Sequence, residues 1–95
     1  MLKVIAEIYI LTKEEGGVDN DIHSGVMPSF KVNGDLIACR IISKDRIIPK
    51  GKHHIVELEF PYGEIYSQYI IPGLESHFHS GAKIEGSAKI IKIIE

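Results

Sequence analysis

Leu2-Lys3-Val4-Ile5-Ala6-Glu7-Ile8-Tyr9-Ile10-Leu11, followed at once by Thr12-Lys13-Glu14-Glu15-Gly16-Gly17, has a period of two. The even positions Leu2, Val4, Ala6, Ile8 and Ile10 are all apolar, while the odd positions mix Lys3 and Glu7 with Ile5, Tyr9 and Leu11. Successive side chains of a strand point to opposite faces, so the alternation predicts a half-buried β-strand with its even face inward. The Glu-Glu-Gly-Gly run ends it, and the polar segment to Gly25 reads as a long loop.

The same rhythm continues beyond that loop. Phe30 and Val32 extend an inward face in a short strand. Asn33-Gly34 is the favoured pair for a two-residue type I′ hairpin, because both central positions need positive φ. A return strand is predicted from Asp35 to Ser43, apolar on both faces apart from Arg40. Pro49-Lys50-Gly51 makes a turn, after which Val56, Leu58 and Phe60 alternate with Ile55, Glu57 and Glu59. Pro61-Tyr62-Gly63 and Pro72-Gly73 bracket a Tyr-rich segment that is either an extra strand or a loop. Leu74, Ser76 and Phe78 mark another strand, and Ser80-Gly81 turns the chain into a last one, Ala82 to Ile94. There the phase breaks: Ile84, Ala88 and Ile90 share one face, Ile91 and Ile93 the other. The break is either a bulge near Gly86-Ser87-Ala88 or burial on both faces.

Six strands punctuated by Gly and Pro, with no 3.6-residue period, predict an all-β domain, a closed barrel or a small sandwich. The 95 residues suffice for one domain, residues 1–95, and one core. A net charge of −2 lacks the basic excess typical of nucleic-acid binders, although Lys44, Arg46, Lys50 and Lys52 cluster locally. The single cysteine, Cys39, excludes an internal disulfide and suits a reducing compartment. Glu7 interrupts the apolar opening before it can read as a signal peptide, and no apolar run is long enough to span a bilayer. These features predict a cytoplasmic protein with no membrane contact.

Read in order, the motifs resemble the C-terminal β-barrel domain of bacterial translation elongation factor Tu. Ala6 to Gly17 is similar to that family's A-E-V-Y-I-L-S-K-D-E-G-G opening. Gly25-Val26-Met27-Pro28-Ser29-Phe30 falls where the family has G-Y-R-P-Q-F, and Ile48-Pro49-Lys50-Gly51 resembles its M-P-G-D turn. His79-Ser80-Gly81-Ala82-Lys83 occupies the place of R-E-G-G-R, and Gly86-Ser87-Ala88 that of G-A-G. The departure is a run of extra residues between Pro61 and Ser80. The resemblance implies a six-stranded closed antiparallel barrel that binds rather than catalyses, since the family's hydrolysis resides in a GTPase domain. No phosphate-cradling G-x-x-x-x-G-K-[ST] loop is found here. It also implies a tRNA contact at His79, Gly81 and Lys83. Against that, Asp19 and Asp21 stand in the family's other RNA-contact loop, and Lys83 lacks the planar fork of arginine.

Other constellations carry less. His77 and His79 share a strand face, and with His53 and His54 they raise a zinc site, although no third ligand can be placed. Cys39 lies in an apolar run, the setting of a buried, inert thiol. Glu57 and Glu59 read as outward charges that discourage edge pairing. No cofactor, metal or catalytic residue is expected. What remains is apolar surplus on outward faces: Ile5, Tyr9 and Leu11, with Tyr66 and Tyr69 of the inserted segment. These are the candidate interface for a protein partner or a second copy of the chain. A tRNA- or translation-linked role, or competition with elongation factor Tu, is the alternative.

Overall fold

A computed structural model describes all residues, Met1–Glu95. The protein is all-β: β1 (Leu2–Ile10), β2 (Ser29–Val32), β3 (Asp35–Ala38), β4 (Arg40–Ile42), β5 (His53–Phe60), a 3-10 turn (Gly63–Tyr66), β6 (Glu75–Ser80) and β7 (Lys83–Ile93). The strands form one antiparallel sheet in the order β3-β2-β6-β7-β1-β5-β4, curled into a half-barrel. No helix is long and apolar enough to cross a membrane.

The expected six-stranded closed barrel is corrected on both counts. The segment predicted as one return strand, Asp35 to Ser43, is two strands on opposite ends of the sheet. β3 pairs with β2 (Ser29 opposite Ala38), and β4 pairs with β5 (Ile41 opposite Leu58). No ladder joins β3 to β4, and only Cys39 separates them in the chain. The covalent chain therefore connects the two ends of the sheet, and pairing passes from one neighbour to the other at this seam. Irregular bonds continue the first pairing: Cys39 N donates to Pro28 O (3.1 Å) and Ile41 N to Val26 O (3.0 Å). The period of two survives the crossing. Ile37, Cys39 and Ile41 are buried, whereas Leu36 is exposed.

Within the curl the alternation works as sequence dictates. Val4, Ala6, Ile8 and Ile10 are fully buried on β1, as are Phe30 and Val32 on β2 and Leu58 and Phe60 on β5. Phe30 is the aromatic centre of the core. Its ring lies 5.1 Å from Phe78 and 5.7 Å from Phe60 (centroid to centroid), both tilted, a favourable arrangement for aromatic quadrupoles. Asn33 and Gly34 carry φ of 49° and 86°, the positive pair that a type I′ turn requires.

The inserted segment is a loop with a 3-10 turn rather than an added strand. Ile70 plugs into the core, and Tyr66 donates its hydroxyl to Asp35 Oδ2 at 2.9 Å, tying the insertion to the β2–β3 hairpin. The phase break in β7 resolves into two bulges flanking Gly86-Ser87-Ala88. One leaves Glu85 unpaired between the Phe78–Gly86 and His79–Ile84 pairs, and the other leaves Ile91 unpaired between Ile90 and Lys92. Bulges bend a strand and increase its twist, which the curl of this sheet requires.

Candidate functional site

Four strands, β5-β1-β7-β6, present a continuous outer face whose composition follows from register. Tyr9 of β1 lies opposite His53 of β5 and Ser87 of β7, and Ser87 lies opposite His77 of β6. One row across the sheet is thus His53–Tyr9–Ser87–His77. The row beside it is Ile55–Glu7–Lys89–Glu75, and a third begins Ile42–Glu57–Ile5. The first two rows enclose a concavity of about 370 Å³ between the Tyr9–His53 pair and His77, with Ser87 and Ala88 among its lining.

Tyr9 is held firmly. Its hydroxyl donates to both oxygens of Glu15 (2.9 and 2.8 Å), and Glu15 also accepts from Thr12 N and Thr12 Oγ1, each at 3.0 Å. Those donors keep the Glu15 carboxyl below its ordinary range, the Thr12 amide contributing most. The same bond to Glu15 pushes the Tyr9 phenol up, because its proton is shared with a carboxylate. The Tyr9 and His53 rings lie 4.9 Å apart at 44°. His53 Nδ1 approaches Glu7 Oε1 only to 3.9 Å.

Apolar side chains flank this concavity. Ile5, Ile42 and Ile55 line a second depression of about 290 Å³. Ile55 is 54 % exposed although it stands within β5, a strand paired on both sides. A solvated sheet face ordinarily carries polar residues at such a position.

Of the interface residues expected from sequence, Ile5 and Tyr9 belong to this face. Leu11 lies past the end of β1, where its N–H donates to Glu85 O (3.0 Å). Tyr66 and Tyr69 belong to the insertion. Tyr69 lines a separate open groove of about 550 Å³ together with Asn33 and Ile71. Ile5 and Tyr9 on the outer face, Leu11 beyond β1 and the two tyrosines of the insertion therefore do not form one surface. His79, Gly81 and Lys83 sit at the β6–β7 turn. Lys83 Nζ donates to Gly17 O at 3.0 Å, and His79 Nε2 is buried without a hydrogen-bond partner. His53 and His77 line the same concavity, but no three His, Cys, Asp or Glu side chains are placed to hold a metal. His54 points away from its neighbour His53, and both of its ring nitrogens are buried and unpartnered. Burial pushes the Cys39 thiol far up, away from the reactive thiolate.

Sequence reasoning missed Glu75, Ser87 and Lys89, because their juxtaposition with Tyr9 depends on strand order and on two bulges. It also missed Glu85, the one buried charged residue. Burial raises the Glu85 carboxyl above its ordinary range, and nearby Lys50 opposes this only in part. Lys50 Nζ already donates to Val18 O and Asn20 O, both at 2.7 Å. A folded state that binds this proton more tightly than the unfolded chain loses stability as pH rises through the folded-state value. Glu85→Gln cannot ionise, so it is expected to raise the urea midpoint near pH 7 and leave it unchanged near pH 4. An unaltered midpoint near pH 7 contradicts the assignment.

No protein-family model matches the chain.

Proposed function

We propose that this chain is a non-catalytic binding module, related to the C-terminal domain of elongation factor Tu, whose outer β4-β5-β1-β7-β6 face docks onto a protein partner. The observation that supports this most is the group Ile5, Ile42 and Ile55, isoleucines of β1, β4 and β5 beside a polar concavity on the outer surface. An apolar floor with a polar border is the usual anatomy of a protein interface. The RNA alternative gains nothing from the site. Lys83 is engaged with a backbone carbonyl, and Asp19, in the loop that would have to approach phosphates, pairs with Lys13 at 3.1 Å.

The test compares the full-length protein with Ile55→Asp by light scattering and by affinity capture, with circular dichroism as a control for folding. An exposed position accepts aspartate at little cost to the fold. The wild type is expected to self-associate or retain a protein that Ile55→Asp loses, with binding weakened at least tenfold. A monomeric wild type that retains nothing the variant does not retain contradicts the reading, as does capture of tRNA that weakens steeply with salt.

A further inference from the structure

The polar concavity next to the isoleucines has a shape and a charge that select one kind of side chain. Tyr9 and His77 lie on either side of Ser87 in a single row. Adjacent strands are spaced by about 4.8 Å, so the Tyr9 and His77 backbones are roughly 10 Å apart, with only a hydroxymethyl group between them. Rings about 3.5 Å thick projecting from those positions leave a slot of roughly 6.5 Å, wide enough for a planar group to enter and lie against one wall. Tyr9 is fixed as one wall by its bonds to Glu15 and its contact with His53. At the end of the slot, Glu7 and Glu75 flank Lys89 in the neighbouring row. Neither Glu75 nor Lys89 forms an ion pair, and Glu7 meets only His53, at 3.9 Å. The mouth therefore holds two carboxylates with unused acceptor capacity against one flexible ammonium.

We propose that this slot, Tyr9–Ser87–His77 with Glu7 and Glu75, takes an arginine side chain of the protein partner. The inference rests on the binding-module reading and specifies the partner's chemistry. A guanidinium is planar, stacks on aromatic faces and donates in a rigid fork that suits a carboxylate. A nucleobase has the right thickness, but its phosphate would stand beside Glu7 and Glu75, and the carboxylates oppose it. The place beside Ile5 and Ile55 matches the pattern of interface anchors, in which an arginine set in a pocket is surrounded by apolar contact.

The experiment follows backbone amide resonances of the full-length protein by NMR during titration with N-acetyl-arginine amide to about 50 mM. Parallel titrations use N-acetyl-citrulline amide, the neutral analogue of the same shape, and adenosine monophosphate. Arginine amide is expected to shift Tyr9, Ser87 and His77. Citrulline amide is expected to bind at least fivefold more weakly, and adenosine monophosphate to leave these signals in place. Glu75→Gln and Ser87→Leu, both on the outer face, are expected to weaken the arginine response severalfold, by removing charge and by filling the slot. No response to arginine amide, an equal response to citrulline amide, or a stronger response to adenosine monophosphate overturns the proposal. If association sensitive to Ile55→Asp persists in that case, only the arginine slot falls. If it is absent as well, the binding-module reading falls too.

Discussion

Phe30→Ala is expected to destabilise the protein by about 4 kcal/mol, the usual cost of deleting a large aromatic side chain from a packed core. Phe30, on β2, is fully buried and joins the two sides of the sheet's curl, packing on Phe78 of the adjacent β6 and on Phe60 of β5, four strands away. Its ring neighbours Phe60 and Phe78 are themselves fully buried, so the deletion opens a space inside the core rather than at the surface. For a domain of this size, 4 kcal/mol corresponds to a fall in melting temperature of roughly 20 °C and removes a large share of total stability. Thermal and urea unfolding followed by circular dichroism measure it. A loss below about 1 kcal/mol would mean that the three rings do not form the centre of the core.

Gly86→Ala is the second large effect, and its cause is different. A Cβ at this position would lie 2.5 Å from Tyr9 O and 3.1 Å from Ile10 Cα. Both are backbone atoms of β1, so no flexible side chain can give way. β1 and β7 lie next to one another well inside the sheet, and an added methyl must push them apart. Overpacking of this kind costs about 3 kcal/mol. Because Ser87 is the next residue and pairs with Tyr9, the same substitution should widen the arginine slot. Unfolding midpoints measure the first consequence, and amide shifts at Tyr9 and His77 measure the second. A wild-type midpoint for Gly86→Ala would contradict the close approach of these strands.

Much of the fold is legible in the residues. The even face of β1, the Asn33-Gly34 turn and the inward triplet Val56, Leu58 and Phe60 all follow from a period of two and from turn chemistry. The seam at Cys39 is not legible, since alternation runs unbroken from Ile37 to Ile41 while the pairing partner changes. Side-chain period reports which face is buried and says nothing about which strand lies alongside. The insertion is legible only in part: Tyr69 is the surface apolar residue its sequence suggests, whereas the tie of Tyr66 to Asp35 and the entry of Ile70 into the core leave no periodic signal. The candidate site was half visible. Ile5 and Tyr9 stand out as apolar residues on a polar face, whereas Glu75, Ser87 and Lys89 acquire meaning only once β6 and β7 are in register. His53 and His77 also acquire their place only through register: they end the row in which Tyr9 and Ser87 lie between them, and both line the concavity.

Every statement about the outer face depends on that register, because a slip of one residue would exchange the inward and outward sets. The most direct measurement is the set of interstrand nuclear Overhauser contacts in isotope-labelled protein. The structure predicts contacts linking Tyr9 to Ser87 and Ser87 to His77, together with Ala38 to Ser29 and Ile41 to Leu58 on the two sides of the seam. Contacts placing Tyr9 opposite Ala88, or Ser87 opposite Phe78, would turn Tyr9 and Ser87 to the wrong faces and contradict the proposed docking surface.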